Sequence, residues 1–167
     1  VLGHVDHGKT TFLDRIRGTG VVNREAGKIT QHIGATEVPM YGLRQACGPL
    51  MEGRDFSIPG LLFIDTPGHE SFTSLRARGG SLADLAILVV DIMEGLMPQS
   101  IESINILKHY DVPFVIGLNK LDRINGWNIT RDQSFLENIA TQEDALKEEL
   151  DDRIYDLMGD LSSHGFN

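Results

Sequence analysis

The segment Gly3-His4-Val5-Asp6-His7-Gly8-Lys9-Thr10 has the spacing GxxxxGK[ST] and runs on through Thr11 into an amphipathic stretch. Glycines at such positions let the backbone turn tightly, so that successive N–H groups point at phosphate oxygens. A helix opening there adds the favourable end of its dipole. Lys9 is spaced to reach the β- and γ-phosphates, and the Thr10 hydroxyl to ligate Mg²⁺. His4 and His7 are also spaced like a pair of metal ligands. Both lie inside the loop, however, with no cysteine or third histidine nearby in sequence, so phosphate binding is the stronger reading.

Ile64-Asp65-Thr66-Pro67-Gly68 closes a short apolar run. An acid at the C-terminal edge of a parallel sheet, beside a phosphate loop, can hold Mg²⁺ directly or through a water. Gly68 can offer its N–H to the γ-phosphate and, being glycine, can flip. Alone, the motif is also what a plain strand-ending turn looks like. A third motif, Asn119-Lys120-Leu121-Asp122, follows another apolar run. The Asp122 carboxylate offers two acceptors, and the N1–H and N2–H₂ of guanine are two adjacent donors. Adenine has no such pair, so the three ordered motifs point to GTP and GDP rather than ATP. Asn119 is expected to tie loops together, and the Lys120 stem to cover the base plane.

These motifs need a sheet whose strand ends converge. Residues 61–64, 85–90 (LAILVV) and 113–118 (PFVIGL) are apolar runs of the kind buried in a parallel sheet. Helical patterns lie between them at residues 10–17, closed by Gly18, at 70–78, and at 98–110 with Pro98 at the start. Alternation of this kind predicts an α/β sheet with crossover helices. Residues 44–59, with Gly48, Pro49, Gly53 and Pro59, read as a loop on a hairpin whose arms are 36–43 and 61–64. Residues 1–2 read as the end of a first strand, so the chain is expected to be an internal piece of a larger protein.

The chain has 167 residues, 41% of them hydrophobic and 23% charged, as in one ordinary globular domain. No apolar run approaches the ~20 residues of a membrane span. The lone Cys47 excludes an internal disulfide, and a cytoplasmic location is expected. Ten acids and two bases between Asp132 and Asp160 put −8 of the net −9 in one segment. Around it, at about 132–161, Phe135, Leu136, Ile139, Leu146, Leu150, Ile154, Leu157 and Leu161 mostly recur every three or four residues. That is an acidic amphipathic helical segment, one helix or two, with an outer face that reads as solvated, the alternative being a docking surface for a basic partner.

The motif variants resemble those of the translational GTPases, in which GHVDHGKT and DTPGHE take these forms. Residues 26–35 (AGKITQHIGA), 70–80 (ESFTSLRARGG) and 118–127 (LNKLDRINGW) are similar to the initiation-factor branch, and residues 44–59 look archaeal or eukaryotic. The resemblance implies a P-loop GTPase domain: α/β, a mostly parallel sheet with helices on both faces and one antiparallel edge strand, truncated at both ends. It implies a GTP-hydrolysing switch that promotes ribosomal subunit joining with initiator methionyl-tRNA. The ribosome, that tRNA through domains outside this chain, and other initiation factors are the partners it implies.

Residue by residue, Thr30 takes the place of the switch threonine that closes over Mg²⁺ and the γ-phosphate, and His69 that of the residue positioning the attacking water. Asp6 resembles the loop aspartate that helps hold a monovalent cation, and Val5 and Ile29 an apolar gate beside the histidine. Arg76 and Arg78, at helical spacing, read as solvated or partner-facing rather than as arginine fingers. Lys28 departs from the family's second switch glycine, and no SAK-type base loop occurs before Asn167. The rivals are a tRNA-delivering elongation factor and a GTP-dependent scaffold without turnover.

Overall fold

A computed structural model describes residues 1–19, 34–65, 83–130 and 133–166. In order they form α1 (Lys9–Thr19), β1 (Gly34–Pro39), α2 (Met40–Cys47), β2 (Gly60–Asp65), β3 (Ala86–Asp91), α3 (Pro98–His109), β4 (Phe114–Asn119), α4 (Phe135–Ala140) and α5 (Asp144–Ser163). Short 3₁₀ turns occupy Gly48–Met51 and Leu121–Arg123.

β1 and β2 pair antiparallel, with Gly34 opposite Asp65 and Pro39 opposite Gly60. β3 and β4 pair parallel, with Ala86 beside Phe114 and Asp91 beside Asn119. Residues 1–2 join the two pairs. The Val1 nitrogen donates to the Ile64 carbonyl at 2.8 Å. Leu2 donates to the Ile87 carbonyl and accepts from the Val89 N–H, both at 2.8 Å. The order across the fold is therefore β1, β2, residues 1–2, β3, β4, with β1 the antiparallel edge. This places Asp65, the loop after Leu2, Asp91 and Asn119 along one edge, where α/β sheets bind ligands.

β3 is apolar because both its faces are covered. Leu88 and Val90 pack with Leu2, with Ile104 and Leu107 of α3, and with Leu157 of α5. Val89, pointing the other way, is buried as well. A second cluster joins Ile92, Ile124 and Leu150, with Leu118, Leu121 and Trp127 against it. This cluster fixes the chain just beyond β3 and β4, at the same edge.

One expectation is corrected and one open reading is decided. The first arm of the hairpin ends at Pro39 rather than reaching residue 43, and 44–59 is not all loop. Pro39 is extended and caps α2, whose Met40 N–H donates to the Pro59 carbonyl at 2.8 Å. Gly48 then ends α2 with φ of 42° and its N–H on the Arg44 carbonyl. A helix this short, with a glycine inside, carries too little periodicity to be read from sequence. The acidic segment, open between one helix and two from sequence, is two helices. Ser134 and Glu137 form a capping box that starts α4, and a break after Ala140 precedes α5. Phe135 and Leu136 are exposed at the start of α4 instead of joining the apolar stripe. The helix expected at 70–78 lies outside the described residues.

Candidate nucleotide-binding site

The loop between Leu2 and α1 is shaped by three left-handed residues: Gly3 with φ of 138°, Asp6 with 62° and Gly8 with 94°. Glycine is required at Gly3 and Gly8 for a second reason. A Cβ on Gly3 would run into the Val89 carbonyl oxygen, and one on Gly8 into the Asn119 amide. The Lys9 ammonium folds back across the loop and donates to the Gly3 carbonyl at 2.9 Å and the His4 carbonyl at 2.6 Å. Val5, Asp6, Thr10 and Thr11 are exposed at the mouth. The Val5 N–H is held by Gln99 Oε1 of α3 at 3.1 Å. The cradle is thus formed, with its cation over it and its helix N-terminus behind.

The base-reading motif comes to this loop through one bond. Asn119 Nδ2, at the end of β4, donates to the His7 carbonyl at 2.9 Å. Leu121 packs into the second apolar cluster and pins the 3₁₀ turn, leaving the Asp122 side chain exposed. Lys120 is left-handed, with φ of 63°. Its ammonium lies 2.8 Å from Oδ2 of Asp91.

Asp91 is the site residue that the sequence reading missed. It is fully buried, and it pairs with both Lys120 and Arg123, the latter at 2.6 Å. Oδ1 accepts from the Met93 N–H at 2.9 Å. Burial alone would raise its carboxyl. The Lys120 hydrogen bond, the Met93 N–H and the charges of Lys120 and Arg123 outweigh that and hold it below the usual carboxylate range. A signal was available: like Asp65 and Asn119, it ends an apolar strand at the ligand-binding edge.

His7 is also fully buried. Its Nδ1 accepts from the Asp91 backbone N–H at 3.2 Å, and Nε2 lies 3.3 Å from Oε2 of Glu94. Burial lowers its pKa, and nearby His4 lowers it further, against the opposing pull of Glu94 and the Val89 backbone. With the Asp91 N–H on Nδ1 and Glu94 against Nε2, both ring nitrogens face protein partners and His7 acts as a structural joint. The His4 and His7 rings stack edge to face, 5.1 Å apart.

For Mg²⁺, the donor chemistry fits. Thr10 is an exposed hydroxyl in the first turn of α1, and Asp65 a carboxylate residue closing β2, both hard oxygen donors. Ile29, Thr30, Thr66, Pro67, Gly68 and His69 lie outside the described residues.

A phosphate cradle, a guanine-type base loop tied to it and a parallel β3–β4 pair behind them define a GTP-binding domain. The model of the elongation factor Tu GTP binding domain matches residues 1–159, and the chain belongs to that family. Within it, the chain resembles the archaeal initiation factors. It is 58% identical over 99% of its length to the probable translation initiation factor IF-2 of Methanopyrus kandleri. It is 56% identical over its whole length to that of Archaeoglobus fulgidus. Each match covers 28% of the relative, so the chain spans just over a quarter of their length. The crystal structure of GDP-bound aIF5B from Aeropyrum pernix superposes with a TM-score of 0.84 at 53% identity, covering 99% of this chain and 28% of that one. The initiation-factor resemblance and the GTPase fold read from the motifs are borne out.

Proposed function

We propose that this chain is the nucleotide switch of a translation initiation factor. It binds GTP and GDP, and hydrolyses GTP when the ribosome stimulates it. The observation that carries the reading is the Asn119–His7 bond, which sets the guanine-type base loop against the phosphate cradle. Base and phosphates of a guanine nucleotide would then bind along one edge of the sheet.

In this reading the loop N–H groups and Lys9 hold the phosphates, and Asp122 takes the two donors of guanine. Thr10, Thr30 and Asp65, the last directly or through a water, would hold Mg²⁺, which would neutralise phosphate charge. Asp6 helps hold a monovalent cation. Thr30 and Gly68 order their segments against the γ-phosphate and release them once it is lost. His69 orients the attacking water, screened by Val5 and Ile29. Similarity to the archaeal factors supports a cytoplasmic protein acting on the ribosome, with initiator methionyl-tRNA and other initiation factors as partners.

The test is competition against a fluorescent GDP analogue in the intact protein, followed by phosphate release with and without ribosomes. GTP should displace the analogue and ATP should fail at a hundredfold excess. ATP competing as well as GTP would overturn the base assignment. Hydrolysis that ribosomes do not accelerate would overturn the switch in favour of a scaffold.

A further inference from the structure

The geometry points to Asp91 as a positioning residue that sets Lys120 for guanine-nucleotide binding and locks the base loop to the phosphate loop. This inference rests on the nucleotide-binding reading above and assigns it a residue that none of the three motifs contains.

Asp91 sits between buried Val90 and Ile92 and is itself 0% exposed. An acid there is expensive, and replacing the whole ion pair by apolar residues is often neutral or stabilising. What the acid adds is direction. Asp91 stands beside Asn119 in the β3–β4 register, so the next residue on β4's side, Lys120, comes within its reach. The Lys120 side chain is only 27% exposed and turns inward to Oδ2 instead of outward to water. Its left-handed backbone would be unfavourable without such a hold. The Lys120 stem, fixed at its charged end, is then fixed along its length.

The same residue reaches the other loop. Its N–H donates to His7 Nδ1, while Asn119 donates to the His7 carbonyl. Asp91 therefore holds Lys120 with its carboxylate and the phosphate loop with its backbone. Arg123 also meets Oδ2, but its side chain is 48% exposed and lies 3.7 Å from Glu94 as well. It is a screening partner at the rim, and Lys120 is the partner toward the site.

The test is a double-mutant cycle on GDP affinity in the intact protein, with Asp91→Asn, Lys120→Met and the double variant, each checked for folding by circular dichroism. If Asp91 acts through Lys120, Asp91→Asn weakens GDP at least about tenfold, in line with loss of a charge-assisted contact. In the Lys120→Met background the same change then costs less than about threefold, because its target is already gone. A merely structural acid would lower stability but give no such coupling in affinity. Should Asp91→Asn alone fail to fold, the double variant removes the Lys120 charge along with its partner and leaves Arg123 to Glu94 at the half-exposed rim. Its affinity must then equal that of Lys120→Met within about threefold. Tight GDP binding by Asp91→Asn, or independent losses from the two changes, overturns the positioning role. Failure of the unaltered protein to bind GDP at all overturns the nucleotide reading beneath it.

Discussion

Replacing Gly8 by alanine should do part of its damage through Asn119, which makes the two positions non-additive. Gly8 has φ of 94°, where an L side chain is strained. Strain of this kind costs about 1–3 kcal/mol. The new Cβ would overlap Asn119 Nδ2 and lie 3.3 Å from its Cγ. The amide is the end of a side chain, so it can swing away, but only by releasing the His7 carbonyl. That lost hydrogen bond costs about 1 kcal/mol more. Gly8→Ala should therefore cost about 2–4 kcal/mol, and the domain's unfolding temperature should fall by about 4–16 °C. Asn119→Ala alone should cost about 1 kcal/mol, since it removes the bond without the strain. Added to Gly8→Ala it should cost almost nothing further, because the bond is already broken. Calorimetry of the nucleotide-free protein across the four variants measures each term. Additive losses would show that the Gly8 cost does not pass through Asn119. A fall under about 2 °C for Gly8→Ala would show that the loop relaxes around the methyl group.

Asp122→Asn should move preference from guanine toward xanthine nucleotides, because xanthine replaces the N2 donor by a carbonyl that the asparagine amide can meet. Competition between GTP and xanthosine triphosphate measures this, and an unchanged preference for GTP would mean that Asp122 does not read the base. His69→Ala should leave GTP binding nearly intact yet remove most ribosome-stimulated phosphate release, because water positioning acts on the transition state. Stimulated release within about twofold of normal would refute that role. Stability should fall as pH drops below about 6.5, the ordinary histidine value. His7 has a lowered folded pKa, so the unfolded chain takes up the proton first; its contribution is whole above that pH and is lost on acidification. Asp91, also lowered, adds a separate loss further into the acid range, as pH falls through its depressed value. His7→Asn, whose amide oxygen can accept from the Asp91 N–H, should flatten the first limb in a pH series of denaturant melts and leave the second. An unaltered first limb would place its origin elsewhere.

The chemistry proposed for the site was legible in one dimension because phosphate and guanine recognition demand particular groups at short range. Gly3, Gly8, Lys9 and Thr10 lie within one loop, and Asn119 and Asp122 within one turn. Strand and helix alternation was legible for the same reason, since LAILVV and PFVIGL can be apolar throughout only if they are covered on both sides. The short helix α2 escaped because Gly42 and a length of eight residues leave almost no periodic signal.

Contacts between segments far apart in the chain had no such signature. Nothing near Asp91 in sequence announces a salt bridge to Lys120, and nothing near His7 announces that a histidine in a phosphate loop is buried, neutral and an acceptor. Both follow from the parallel register that sets Asp91 beside Asn119 and from residues 1–2 lying between β2 and β3. Local motifs name the candidate groups for the ligand, because each needs only its neighbours in the chain. The charges and hydrogen bonds that hold those motifs against one another come from strands paired across the sheet, and only the packed fold brings them within reach.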